Sequence, residues 1–144
     1  MDDRNPTTAV FGASPAARPI WPALANGWRC RCPRCGEGKL FAGYLTTVHE
    51  CSVCGKEIHH HRADDMPPYL TILIVGHVVV GLFMTADDLF GWSLLVHSIV
   101  WPLVTLAMCL ALLRPLKGAT IGLQWAMRMH GFGGDEPAPS DELG

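Results

Sequence analysis

Charged side chains are absent from two long stretches of this 144-residue sequence. No Lys, Arg, Asp or Glu occurs in residues 69–84 or in residues 92–113. A helix rises about 1.5 Å per residue, so stretches of this length approach or match the roughly 30 Å hydrocarbon core of a bilayer. Only a short connection separates them. The absences therefore predict a transmembrane helical hairpin, with spans at about residues 68–85 and 92–113.

The sequence also lacks the patterns on which most enzyme assignments rest. It has no Ser–His–Asp arrangement, no Gly-rich phosphate loop and no zinc site with an open ligand position. Its net charge of -2 gives no sign of nucleic-acid binding. The few basic residues near the cysteines are better explained by anionic lipid and membrane topology. We therefore expect a non-enzymatic protein that does not bind nucleic acid.

Positive charge is missing from the hairpin and its loop, and this sets an expected orientation. All eleven Lys and Arg residues lie outside the hairpin, whereas the loop carries Asp87 and Asp88. Cytoplasmic flanks of membrane spans are enriched in Lys and Arg, so both termini are expected in the cytoplasm. No apolar segment follows Arg4 within residues 1–28, so the first span is expected to act as its own insertion signal. The basic residues nearest the spans are Lys56, Arg62, Arg114 and Lys117.

Two cysteine turns precede the hairpin. Cys32-x2-Cys35 and Cys51-x2-Cys54 are separated by fifteen residues, and each is followed by Gly. Two intervening residues let both thiolates of a pair point at one centre, and Gly relieves the tight turn that follows. Together the turns supply four thiolates, the ligand set of a closed, structural zinc site. We therefore predict a zinc-ribbon-like module over residues 27–63.

Other interpretations of these cysteines remain open. Disulfides would need an oxidising compartment, whereas the charge pattern places the cysteines in the cytoplasm. A single iron also suits four thiolates, and a cluster without metal is a third alternative. Cys30 is a spare neighbour that could exchange with Cys32 as a ligand. A module this small has almost no core, so a bound metal is expected to supply most of its folding energy.

The segments around these two units are less informative. Residues 1–26 hold four prolines among Ala, Thr and Gly and are predicted to be disordered, as is the acidic segment 131–144. Residues 114–130 are predicted to form an interfacial helix on the cytoplasmic surface, because apolar residues recur at every fourth position of 121–129. The alternative is a frayed continuation of the second span.

Four polar residues of the hairpin are further candidates. Asp64 and Asp65 precede the first span, where a carboxylate accepts hydrogen bonds from free N–H groups and suits the helix dipole. His77 and His97 lie inside the spans, at depths of roughly 12 and 8 Å from the loop. An antiparallel pair could bring these rings together, so they are candidates for a metal, haem or proton site. The alternative is two neutral histidines, each bonded to a backbone carbonyl or to the other helix.

Five short motifs between residues 32 and 125 occur together in this sequence. They are Cys32-Pro-Arg-Cys35-Gly-Glu-Gly-Lys-Leu-Phe41, Cys51-x2-Cys54-Gly55, Arg62-Ala-Asp-Asp65 with Pro67 and Tyr69, Ile74-Val-Gly-His77, and Arg114-Pro-x-Lys117-Gly118. In this combination the sequence resembles the DUF983 family of small bacterial membrane proteins, although Met66 and Pro68 depart from its pattern at the start of the first span. The resemblance implies two spans behind a zinc-ribbon-like segment in the bacterial cytoplasmic membrane. It also implies an association with haem-copper oxidase components, while the family's function is unassigned.

The sequence thus predicts an α-helical membrane protein: a two-span hairpin behind a four-cysteine module that faces the cytoplasm. We expect a non-enzymatic accessory or assembly protein with structural zinc, whose partners are the bilayer and another membrane protein. Gly76 and Gly81 motivate this expectation, because small residues let a neighbouring helix approach closely. Two alternatives remain: a metal- or haem-handling protein, with copper or haem held by His77 and His97, and an iron-based redox protein.

Overall fold

The computed structural model describes residues 17–59, 65–129 and 131–133. These ranges form three α-helices, α1 (Ile20–Trp28), α2 (Met66–Phe90) and α3 (Leu94–Ala126). They contain no β-strand, only isolated antiparallel bridges between α1 and α2. The bridged pairs are Arg31–Lys39, Phe41–Thr47 and Glu50–Glu57. The chain is therefore α-helical, with two candidate membrane-spanning helices and a cysteine-rich segment before them, as the sequence predicted.

Helices α2 and α3 form the predicted hairpin. Gly91 ends α2 in the left-handed conformation, with φ of 53°, and its N–H donates to the Asp87 carbonyl at 3.0 Å. Only 11% of the apolar stretch of α2 and none of that of α3 is buried. The core helix of a soluble protein would bury most of such a stretch. The two helices are therefore compatible with membrane insertion.

Helix α3 is longer than the predicted second span. Its 33 residues run through Pro102 and Pro115 without interruption and extend about 50 Å at 1.5 Å per residue. Residues 114–126 therefore do not form the separate interfacial helix that was predicted. They continue the second span, as in the alternative, but as regular helix and not as a frayed end. The apolar residues that suggested a membrane-facing surface, Ile121 and Trp125, are instead buried in protein.

Helix α1 corrects the prediction of disorder over residues 1–26, because residues 20–26 are helical. Pro22 lies in the first turn, where its missing N–H costs no helical hydrogen bond. Tertiary packing then stabilises the helix against α3. The rest of that segment, residues 1–16, lies outside the described residues. At the other end, residues 131–133 form a turn with Phe132 buried, and the predicted disordered tail beyond them is also outside the described residues.

The hydrophobic core lies at one end of the hairpin, in a unit that we call the head: α1, residues 29–59 and residues 114–126 of α3. The cysteine segment shares this core with the two helices, so it is not the nearly coreless module that its sequence suggested. Arg18 adds a further link, because its guanidinium donates to the carbonyls of Trp125 at 2.7 Å and Phe132 at 3.1 Å. The buried apolar residues of the cluster are Ala23, Cys32, Leu40, Phe41, Cys51, Ile58, Ile121, Trp125, Ala126 and Phe132.

Candidate metal centre

The two cysteine turns have the same local geometry. The Gly36 N–H donates to the Cys32 carbonyl at 2.9 Å, and the Gly55 N–H donates to the Cys51 carbonyl at 2.9 Å. Both glycines have positive φ, 72° at Gly36 and 65° at Gly55. A side chain would strain this left-handed backbone, which explains why Gly ends each turn.

Each cysteine turn is closed by a short antiparallel pairing within its own segment. The Cys32 N–H donates to the Gly38 carbonyl at 2.8 Å, and the Cys51 N–H donates to the Lys56 carbonyl at 2.9 Å. Gly38 also lies against the opposite turn, since a Cβ at this position would overlap the Cys51 sulfur. The absence of a side chain at Gly38 therefore lets the two turns approach within metal-binding distance.

The four sulfur atoms of Cys32, Cys35, Cys51 and Cys54 all lie within 4.8 Å of one another. The Cys32–Cys54 and Cys35–Cys51 sulfur pairs are both 3.7 Å apart. A tetrahedron with zinc–sulfur bonds of about 2.3 Å has sulfur–sulfur edges of about 3.8 Å, so the arrangement fits a four-thiolate metal site. A disulfide needs sulfurs about 2.05 Å apart, which none of these distances approaches.

The thiols differ in how readily they ionise. Burial raises the pKa of Cys32. It also raises the pKa of Cys54, which is less buried. Burial also acts on Cys35, but the backbone N–H groups of Gly38 and Glu37, with the thiols of Cys51 and Cys54, lower its pKa to about 7. Backbone N–H groups directed at a sulfur stabilise a thiolate, with or without metal. The site can therefore hold a divalent cation once the protons of its buried thiols are released.

Cys30 is not part of this cluster. Its sulfur lies 3.9 Å from the Trp28 carbonyl, and its backbone has an unusual φ of 59° at the end of α1. The structure thus favours Cys32 over Cys30 as the ligand. Four cysteine ligands leave no open position, which is typical of structural rather than catalytic zinc.

Several contacts fix the cysteine segment to α3. The Lys117 ammonium donates to the Leu45 carbonyl at 3.0 Å, and the Tyr44 hydroxyl donates to the Leu110 carbonyl. The Arg114 guanidinium lies 5.4 Å from the centre of the Phe41 ring, within cation–π range. The loop between the two cysteine turns therefore rests on the part of α3 where its apolar stretch ends.

The structure does not bring His77 and His97 into one site. His77 is exposed, and its Nδ1 lies 2.7 Å from the Leu73 carbonyl of its own helix. His97 is buried against Phe83, with ring centres 4.8 Å apart. Phe83, the α2 residue that packs against His97, lies six residues beyond His77, or about 9 Å along the helix axis. His97 therefore contacts α2 well away from His77. His77 thus matches the alternative of a histidine bonded to a backbone carbonyl.

The other hairpin candidates also differ from expectation. Asp65 occupies the position before α2, but its side chain makes no capping hydrogen bond within the described residues, and Asp64 lies outside them. Apart from adjacent residues and the nearby backbone of α2 itself, no atom of the described residues comes within 4 Å of a Cβ built at Gly76 or Gly81. These two glycines therefore do not mediate the approach of α3.

The close helix approach occurs elsewhere, at residues that the sequence reasoning missed. A Cβ at Gly27 would overlap the Gly118 carbonyl, and a Cβ at Gly122 would overlap the Ala23 carbonyl. The signal was present in the sequence as Ala23-x3-Gly27 and Gly118-x3-Gly122, a spacing that lets helices cross with backbones in contact. Because residues 1–26 are predicted to be disordered, the sequence offers no helix to pack against Gly118-x3-Gly122.

Comparison with known proteins identifies one family. The model of a family described as a protein of unknown function, DUF983, matches residues 41–125, more than half of the chain. The match begins after Cys35, so it covers the second cysteine turn, both long helices and most of the contact surface of α3, but not the first turn that the resemblance included. No curated protein and no solved structure matches the chain.

Proposed function

This chain belongs to the DUF983 family, whose function is unknown, and we propose that it is a non-enzymatic accessory protein of a membrane complex. In this proposal, zinc in the four-cysteine site stabilises the head, and the hairpin anchors the head to the bilayer. The continuity of α3 is the observation that carries the proposal. One helix is apolar and largely exposed over residues 94–113, apart from the buried His97, and is then largely buried in the head, so the head is rigidly joined to the hairpin.

The membrane location rests on the exposed apolar side chains of the hairpin. Ile72 is 66% exposed, Leu103 is 61% exposed and Leu94 is 84% exposed. Exposing so many large apolar groups to water is unfavourable, at about 25 cal/mol per Å² of apolar surface. Lipid removes this cost. A soluble protein would have to cover both helices with further protein, and the head reaches only one end of them.

The orientation follows from charge at the two ends of the hairpin. Among the described residues, Lys and Arg lie at the head end, including Arg114 and Lys117 directly after the apolar part of α3. The loop end carries Asp87 and Asp88. The positive-inside rule therefore places the head in the cytoplasm, where thiols stay reduced and a zinc site is favoured over disulfides.

An accessory role fits the site better than catalysis does. Four thiolates complete a tetrahedral zinc coordination sphere and leave no position for substrate or water. The second cysteine turn presents Val53, an apolar residue that is 56% exposed, on the surface of the head. Such a rigid, metal-stabilised surface at the membrane boundary suits docking of another protein.

The proposal is tested by cross-linking in the native membrane. A photoreactive amino acid in place of Val53 should give a discrete adduct of higher mass, and Cys51→Ser should abolish that adduct by removing the metal. The same label in place of Leu103, on the lipid-exposed face of α3, serves as the comparison. A protein that stays uncross-linked at both positions and migrates alone in mild detergent would contradict the proposal. Haem-copper oxidase subunits in the adduct would support the association that the resemblance implied.

Elemental analysis of the same preparation separates structural zinc from the redox alternative. One zinc per chain supports the proposed role. Iron in the four-thiolate site, with the visible absorption of iron–thiolate bonds, would favour an electron carrier instead.

A further inference from the structure

The loop end of the hairpin contains a cavity that the zinc-stabilised head does not explain. It is a shallow depression between α2 and α3, mostly open to its surroundings, with a volume of about 560 Å³. Three aromatic side chains, Phe83, Trp92 and Trp101, form much of its lining, and Asp87 and His97 supply polar groups. Cavities of roughly 300–1,000 Å³ with mostly apolar walls and few polar groups are typical of small-molecule sites.

A hydrogen bond selects one tautomer of the neutral His97 ring at this cavity. The Trp101 indole N–H donates to Nδ1 of His97 at 2.9 Å. Nδ1 therefore acts as an acceptor and carries no proton, so in the neutral ring Nε2 carries it. His97 is only 9% exposed, and Nε2 has no hydrogen-bond partner among the described residues. A buried donor without an acceptor is unfavourable, which makes this atom the polar feature that a ligand would satisfy.

Asp87 supplies the complementary group. Its Oδ1 lies 3.5 Å from Nε2 of His97, close enough for attraction but without the geometry of a direct hydrogen bond. Nε2 is enclosed by its neighbours, so a ligand oxygen reaches it only if the exposed Asp87 side chain turns aside. An oxygen about 2.8 Å from both atoms would then accept from Nε2–H and donate its own proton to the carboxylate. The pair therefore selects a group that is acceptor and donor at once, which is a hydroxyl.

The surrounding rings define the rest of the ligand. Phe83 and Trp92 lie beside the His97 ring, with ring centres 4.8 and 5.8 Å from it, and Phe83 meets Trp101 edge-on at 5.6 Å. Such an arrangement offers ring faces and edges to a flat apolar group. Asp87 is 61% exposed, so the polar end of the ligand would lie towards the loop and its apolar remainder along the hairpin.

From these contacts we propose that the cavity binds an amphiphile with a ring hydroxyl, of the phenol or hydroquinone class. A free anion is disfavoured by the Asp87 carboxylate. An organic cation would suit the aromatic rings and Asp87 but would leave the Nε2–H donor of His97 without an acceptor. A water molecule would bridge the two polar atoms but leave the aromatic walls and most of the cavity volume unused.

The test is calorimetric titration of the full-length, zinc-loaded protein in mild detergent under anaerobic conditions. The probes are 2,3,5-trimethylhydroquinone, its dimethyl ether and tetramethylammonium, each also titrated into empty micelles. We expect one saturable site for the hydroquinone and at least about tenfold weaker binding of the dimethyl ether, which accepts from His97 but has no proton for Asp87. Tetramethylammonium should bind more weakly still.

Matched variants separate the cavity from the rest of the hairpin. Asp87→Ala and His97→Phe should each weaken hydroquinone binding about tenfold or more. In the Asp87→Ala variant, the hydroquinone should no longer bind more tightly than its dimethyl ether. Asp88→Ala and His77→Phe change residues of the same types outside the cavity and should leave binding unchanged. Zinc content and helical circular dichroism establish that each variant is folded. The proposal is overturned by equal affinity for the hydroquinone and its ether, by preferential binding of tetramethylammonium, by equal loss in the control variants, or by no saturable site.

Discussion

Gly27 of α1 and Gly118 of α3 meet backbone against backbone, and a Cβ on either residue would overlap the carbonyl group of the other. This crossing joins the N-terminal helix to the part of α3 that leaves the apolar hairpin. One turn away, Gly122 makes the same kind of contact with Ala23. The cysteine segment shares a hydrophobic core with both helices, so the four-cysteine cluster and the hairpin belong to one folded unit.

The crossing predicts opposite outcomes for the same substitution at two glycines of the long helices. Gly118→Ala should destabilise the head by about 1–3 kcal/mol, because the added methyl group overlaps backbone that cannot move aside. Gly76→Ala should be neutral or stabilise by up to about 1 kcal/mol, because Ala favours helix and its Cβ meets open space. Thermal unfolding of the zinc-loaded proteins compares the two. Equal destabilisation by both variants would show that the crossing is not the cause.

The four-cysteine site predicts which thiols hold metal. Cys51→Ser should reduce bound zinc from one per chain to well below one, because three thiolates and a hydroxyl form a weaker site. Cys30→Ser should retain the full content, since the Cys30 sulfur lies outside the cluster. Elemental analysis after gel filtration gives the stoichiometry. Loss of zinc from the Cys30 variant, with retention in a Cys32→Ser variant, would mean that Cys30 is the ligand instead.

The ionisation of the thiols predicts how zinc affinity depends on pH. Burial raises the pKa of Cys32 and Cys54, so both keep their protons at neutral pH and must release them to bind zinc. Cys35, with a pKa of about 7, is partly ionised already. Protons compete with zinc, so the zinc-dependent stability should fall as pH falls.

The slope of zinc affinity against pH should be steeper below pH 7 than above it, by about one proton released per zinc bound. The reason is that Cys35 must also release a proton on binding zinc below pH 7. Competition with a chromophoric chelator between about pH 6 and pH 8 measures the slope. An affinity that does not change over this range would contradict the assignment of these thiols as ligands.

Arg18 predicts a contribution from outside the cysteine segment. Its guanidinium donates to the Trp125 and Phe132 carbonyls and lies 4.7 Å from the centre of the Trp125 ring. Arg18→Ala should destabilise the protein by about 1.5–3 kcal/mol, since hydrogen bonds from a charged donor to the end of α3 are lost. Arg29→Ala, at an exposed position beyond α1, is the matched control and should change stability by less than about 0.5 kcal/mol. Chemical unfolding of the two variants at equal zinc content decides the prediction.

The elements with a strong local pattern could be predicted from sequence. Two uncharged runs in the 69–113 region specify long apolar helices, because a helix of that length on the surface of a soluble protein would carry charged residues on its outer face. Cys32, Cys35, Cys51 and Cys54 specify one four-thiolate site, because the spacing within each turn restricts where its two sulfurs can point. In both cases the information lies in a pattern within one continuous stretch of the sequence.

Contacts between distant segments could not be predicted in the same way. His77 and His97 lie at similar depths by residue count, but the packing of Phe83 against His97 places the contact about two turns away from His77. Gly76 and Gly81 have the small size that a helix crossing requires, yet they face open space. Depth and residue size leave helix rotation undetermined, and rotation decides which side chains meet.

By itself, the sequence determined the hairpin, the cysteine turns with their terminal glycines, and the separation of basic and acidic ends. Only the tertiary structure decided that residues 20–28 are helical and that α3 continues to Ala126. It also decided that α1 and the end of α3 pack together in the head. A short helix such as α1 is marginal in isolation and gains its stability from the surface against which it packs. That surface, formed by Gly118 and Gly122, lies more than ninety residues further along the chain, so no local pattern could reveal it.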